Sequence, residues 1–129
     1  MASGGVWMLR ISQLLLLVVA LIPCTSLAQD YYGAIAYSQG TKAHGWAKDY
    51  PARAAAEKAA LAGCAKHADD CSAVLWFKNA CGALATGPKG SGWAWAAAQE
   101  AADRAALNAC AKRSSACTVK QRVCTTSVK

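Results

Sequence analysis

The sequence predicts an α+β domain made of two tandem strand-strand-helix-strand units with internal pseudo-twofold character, stapled by disulfides. Three observations predict it. One cysteine pattern occurs twice: Ala59-Ala60-Leu61-Ala62-Gly63-Cys64 is followed by Cys71, and Ala105-Ala106-Leu107-Asn108-Ala109-Cys110 by Cys117. A shift of 46 residues lays 55–64 on 101–110 and matches Glu57-Lys58 with Asp103-Arg104. The flanks repeat as well, Tyr32-Gly33-Ala34-Ile35-Ala36-Tyr37-Ser38 against Cys81-Gly82-Ala83-Leu84-Ala85-Thr86-Gly87 and Gly45-Trp46-Ala47 against Gly92-Trp93-Ala94. Self-similarity at this period marks a duplicated supersecondary unit.

The chain begins with an expected signal peptide over 1–28. Arg10 supplies the positive charge, 14–22 is an unbroken apolar run, and Ser26 and Ala28 are small residues placed for cleavage after Ala28. That run is shorter than the roughly 20 apolar residues that span a bilayer, so no transmembrane anchor is expected. Met8 is an alternative start. Lipidation of Cys24 is the competing reading, and Pro23 fits it poorly because lipoprotein processing prefers a small residue there. The remainder, 29–129, is one domain, with unit one over about 31–80 and unit two over about 81–125.

In unit one, strands are expected over 32–38, 45–48 and 73–78, and in unit two over 80–86, 91–96 and 118–124, with turns rich in Gly, Pro and Lys between them. Gly33 and Gly82 fall at equivalent places inside strands, where glycine marks a bulge or a close backbone approach, and they read as packing devices. The first helix is expected to open near Pro51 with Asp49 as its cap and to run to Cys64, burying Ala56, Ala60, Leu61 and Cys64. The second repeats that stripe as Ala102, Ala106, Leu107 and Cys110. Arg53 with Glu57 and Glu100 with Arg104 are expected i,i+4 pairs on the solvent side.

In the third strand of each unit, Ala73, Leu75 and Phe77 align with Val119, Gln121 and Val123 as one core face. Val74 and Trp76 align with Lys120 and Arg122 on the other. A position whose counterpart is charged does not belong to the core, which makes Trp76 a candidate exposed aromatic. Trp46 and Trp93 are equivalent and expected in the core. Trp95 is extra, on the same strand face as Trp93, and with Tyr31, Tyr32 and Tyr50 adds to a candidate contact surface.

Loss of the signal would remove Cys24 and leave six of the seven cysteines, an even count that argues for three disulfides in an oxidising compartment. The duplication selects Cys64 with Cys71 and Cys110 with Cys117, leaving Cys81 with Cys124 to tie the end of one unit to the end of the other. Zinc is disfavoured by the absence of any C-x2-C spacing and the presence of only two histidines. No catalytic, cofactor or metal residues are assigned. The sequence contains no Gly-x-Ser-x-Gly, His-Glu-x-x-His, phosphate loop or dinucleotide fingerprint, and Asp69-Asp70 reads as turn chemistry.

Taken together, Tyr32-Gly33-Ala34-Ile35-Ala36, Asn79-Ala80-Cys81-Gly82-Ala83-Leu84 and Gly92-Trp93-Ala94-Trp95 resemble a bacterial family, domain of unknown function 4189. The resemblance covers nearly everything after residue 30. It implies a small exported domain with no catalytic residues to carry over.

Charge is lopsided. Residues 29–70 balance five basic against five acidic side chains, whereas 71–129 carry eight Lys or Arg against Glu100 and Asp103. Lys112, Arg113, Lys120, Arg122 and Lys129 form a candidate basic patch for an acidic protein surface, with anionic lipid or lipopolysaccharide as alternatives and nucleic acid disfavoured by export. The expected function is a non-catalytic, periplasmic or secreted protein-binding module, such as an inhibitor or immunity protein against a secreted toxin. Its candidate surface is Trp76, Trp95, Lys112, Arg113, Lys120 and Arg122. The alternatives are a secreted effector and a small hydrolase.

Overall fold

A computed structural model describes residues 22–23 and 28–129, so the expected leader and Cys24 lie outside the described residues. Eight elements follow in the order β1 (Tyr32–Tyr37), β2 (His44–Tyr50), α1 (Arg53–Ala65), β3 (Ser72–Lys78), β4 (Cys81–Thr86), β5 (Ser91–Ala96), α2 (Gln99–Ala111) and β6 (Thr118–Cys124). The strands form two antiparallel three-stranded sheets, ordered β2-β1-β3 and β5-β4-β6. The fold is α+β.

Each helix packs on the three strands of its own sheet, and the two sheets meet through β1 and β4, β3 and β5, and β2 and β6. The result is four layers, helix, sheet, sheet, helix. Strand alternation explains the division of labour. Ala34 and Ala36 of β1 point at α1, with Ala47, Ala56, Ala60 and Cys64, while Ala83 and Ala85 of β4 point at α2, with Ala102, Ala106 and Cys110. The residues between them, Ile35 and Leu84, point at the opposite sheet and pack with Tyr37, Phe77, Ala80 and Val123. Full burial of Ile35, Leu84 and Phe77 stabilises the fold by about 2–3 kcal/mol each.

Small residues bring the helices close. A Cβ on Gly45 would collide with the α1 backbone at Ala60 and Cys64, and one on Gly92 with the α2 backbone at Cys110 and Ala109. Gly33 and Gly82 serve the sheet-to-sheet layer instead. Both lie against the ring of Phe77, which fills the space their missing side chains leave.

The structure corrects several expectations in detail. Asp49 is not a helix cap. It lies in β2 with φ of 63°, at an irregularity in the pairing between Tyr32 and Ala34, and its carboxylate accepts the Thr126 backbone N–H at 2.9 Å. Pro51 lies just outside α1, and the N-caps are Ala52 and Ala98, neither with a side-chain hydrogen bond. Leu61 and Leu107 flank the buried stripes rather than join them. β3 is bulged: Leu75 pairs with Ile35 but Ala73 with Ala36, which leaves Val74 as the extra residue. Val74 therefore packs with Leu75 at the sheet-to-sheet layer, and Ala73 turns to the helix side. β6 carries the same bulge at Lys120, between Gln121 and Val119.

Three disulfides join Cys64 to Cys71, Cys110 to Cys117 and Cys81 to Cys124. The first two tether the last turn of each helix to the residue preceding the next strand. Cys81 and Cys124 are cross-strand partners in the second sheet. That bridge therefore closes unit two on itself and does not tie one unit to the other. Among the described residues the expected Glu100–Arg104 pair does not form, and the ion pair of α2 is instead Asp103 with Arg122 of β6 at 2.8 Å.

Candidate functional site

A sheet of three strands has two edges, so the two sheets expose four. β3 lies beside β5 on one side of the molecule and β2 beside β6 on the other. Along the first seam runs an apolar groove of about 370 Å³. Five consecutive residues of β3, Val74 to Lys78, line one wall, and Trp93 and Trp95 of β5 line the other. An unbroken run means that the edge of β3 itself, with its unpaired backbone groups, faces the groove; two alternate residues mean that β5 contributes side chains.

Each wall follows from local pairing. Trp93 is the partner of Leu84 and Trp95 of Gly82, so both rings point toward the first sheet. Trp93 is half-buried against Tyr37, with ring centroids 6.5 Å apart. Trp95 stands over a glycine and remains 59% exposed, a large apolar surface left uncovered among the described residues. Trp76 is 39% exposed, but its ring lies on the helix side of β3, stacked on Tyr32 at 6.3 Å and under the Arg53 guanidinium at 4.6 Å. Arg53 also pairs with Glu57. Trp46, expected in the core with Trp93, is instead 47% exposed. β2 faces β6, which presents Gln121 where β3 presents Leu75, so Trp46 lacks the apolar cover that Trp93 has.

The expected basic patch divides. Lys112 and Arg113 follow the C-terminal end of α2 and line a shallow pocket with Trp93, Ser91 and Gly92. Lys120 and Arg122 lie on β6, the opposite edge of the second sheet from β5, and Arg122 is committed to Asp103. Arg113 is joined by two cations from loops distant in sequence, Lys42 and Lys89, around a second pocket of about 240 Å³ that Tyr37, Gln39 and Ser91 also line. The Lys42 ammonium donates to the Gly87 carbonyl at 3.0 Å, which fixes it there. Sequence reasoning missed this cluster because its members come from both units and share no motif.

At the far end of β3, Lys78 pairs with Asp30 at 3.1 Å and sits over the Tyr32 ring at 5.9 Å. Asn79, with φ of 47°, accepts the Tyr31 N–H and donates to Asp30. Hydrogen bonds from Lys78 and Asn79 hold the Asp30 carboxyl below the usual carboxylate range, and Asp30 in turn raises Lys78. The Ser38 hydroxyl does the same for Asp70. Among the described residues, no three His, Cys, Asp or Glu converge as metal ligands, and no helix is long and apolar enough to cross a membrane.

This chain belongs to the family described as Domain of unknown function (DUF4189), whose profile matches residues 32–124. It is similar to Protein Rv1269c of Mycobacterium tuberculosis and Protein Mb1300c of Mycobacterium bovis, each 50% identical over 58 residues. Those residues are 45% of this chain and 44% of each relative, so the match spans under half the length of the curated relatives. No solved structure matches the protein.

Proposed function

We propose that this chain is a non-catalytic, exported protein-binding module that captures an extended segment of another protein along the β3–β5 groove. One observation carries the reading: β3 is an edge strand whose run Ala73-Val74-Leu75-Trp76-Phe77 has neither charge nor proline, and it borders an apolar groove. Proteins normally blunt such edges with charge, because a bare edge pairs with any available strand. The equivalent edge, β6, carries Lys120 and Arg122 in the same stretch. A strand added to β3 would form main-chain hydrogen bonds and set alternate side chains against Trp93 and Trp95. Docking of this kind suits an inhibitor or immunity protein, which must block its target without chemistry.

Export is proposed from the leader-like sequence of 1–28 together with the three disulfides. The two units are proposed to be copies related by a pseudo-twofold. Matching bulges at Val74 and Lys120, matching glycines at Gly45 and Gly92, and matching sheet orders support this.

The test is to pan a random-peptide library against the oxidised protein and follow amide hydrogen exchange on peptide binding. Enriched peptides that protect the Val74–Lys78 amides, and whose binding is lost in Trp95→Ser, support the reading. Peptides that protect other strands, or no enrichment at all, overturn it.

A further inference from the structure

Beyond Val74, where the groove ends, β3 leads toward a second pocket. Ser72, the first residue of β3, pairs with Tyr37, and Tyr37 lines the pocket that holds Lys42, Lys89 and Arg113. On the opposite wall, β5 leads from Trp95 through Trp93 to Ser91, which lines the same pocket. Trp93 and Arg113 both line the shallow depression between the two. The apolar groove and the cationic pocket thus lie in series along two strands, linked by a depression that shares Trp93 with one and Ser91 and Arg113 with the other.

That terminus is one-signed. Its lining supplies three positive side chains and the neutral donors Tyr37, Gln39 and Ser91, and no carboxylate. Asp70, the acid associated with the neighbouring turn, is occupied by the Ser38 hydroxyl and the Gly40 backbone. The Gly87 carbonyl is the partner found for Lys42, and neither Lys89 nor Arg113 has an ion-pair partner among the described residues. Like charges held together in a concave site favour an anion by electrostatic focusing, and an arginine with two lysines matches a carboxylate better than any neutral group.

We infer that the segment captured by this domain is an apolar strand ending in a carboxylate group, either an acidic side chain or a free C-terminus, that enters the Lys42–Lys89–Arg113 pocket. This rests on the docking reading above and adds to it the polarity and chemistry of the ligand. The strand matches the seven residues of β3, with apolar side chains alternating toward Trp93 and Trp95 and the acid beyond Ser72. The cluster fixes register, because a one-residue slip would withdraw the acid and turn every apolar side chain to the wrong face.

The experiment uses peptides selected on the oxidised protein, each remade with Asp or Glu changed to the amide and with an amidated C-terminus. Binding is read by anisotropy against the native protein and against Lys89→Glu/Arg113→Glu, with β3 amide protection measured in parallel. Removing the acid is expected to weaken binding to the native protein about tenfold and to strengthen or leave unchanged binding to the charge-reversed variant. The side-chain and C-terminal arms identify which carboxylate is used. If both changes leave affinity intact while Val74–Lys78 remain protected, the carboxylate inference fails and groove docking stands. If β3 is never protected, the docking reading fails with it.

Discussion

Along one seam β3 faces β5, and along the other β6 faces β2, yet residues at corresponding places in the two sheets differ in kind. Leu75 corresponds to Gln121, Trp76 to Arg122 and Trp95 to Lys48. Where unit one holds the open end of its sheet with Lys78 over the Tyr32 ring, unit two places the Cys81–Cys124 disulfide at the matching pair. The β6 edge is charged and tied to α2 through Arg122 and Asp103, while β3 is bare and opens on a groove. One sheet can close its edge while the other exposes one, because the shared sheet-to-sheet core keeps both folded.

The largest break in this comparison comes from the covalent difference. Cys81→Ala/Cys124→Ala is expected to cost about 4 kcal/mol in urea unfolding, against about 2.5 kcal/mol for removal of either helix-to-strand bridge, since loop-closure entropy grows with loop length. The two short bridges are expected to cost the same. Next, Gly45→Val and Gly92→Val each drive a side chain into helix backbone, and each is expected to cost about 3 kcal/mol. Unequal losses would show that the helices sit differently on their sheets.

A smaller effect tests the exposed tryptophan. Gln121→Leu should cover Trp46, shift its fluorescence to the blue and stabilise the fold by about 1 kcal/mol, while Leu75→Gln should expose Trp93 and cost about 1.5 kcal/mol. Absence of any Trp46 response would separate β2 from β6 as its neighbour. The smallest effect is acid sensitivity, and it belongs to unit one. Asp30 and Asp70 have folded pKa values lowered from 3.8, so their contribution is present above that value and is lost as pH falls through the lowered one. Lys78 has the opposite sign: its folded value is raised from 10.5, and its contribution is present below that and lost as pH rises through the raised value. Asp30→Asn/Asp70→Asn should flatten the urea midpoint below pH 4, and an unchanged slope there would assign acid sensitivity elsewhere.

The sequence by itself determined the elements and the two short cysteine pairs, because each is local or periodic, and Cys81 with Cys124 followed by elimination. Alternation within Gly33-Ala34-Ile35-Ala36, the alanine stripe of each helix and the C-x6-C spacing are all readable within a dozen residues. Trp95 was legible as an aromatic with no counterpart in the first unit, where Lys48 stands, and the structure leaves it exposed. Only the tertiary structure decided which edges adjoin. That choice exposes Trp46 and half-buries Trp93, although the two are equivalent in sequence, because a side chain's environment is set by the strand across from it. It also separates Arg122 from Arg113 and joins Arg113 to Lys42 and Lys89. A one-residue bulge moves Val74 into the sheet-to-sheet layer, since the side-chain period of a strand is two and a single extra residue inverts everything beyond it.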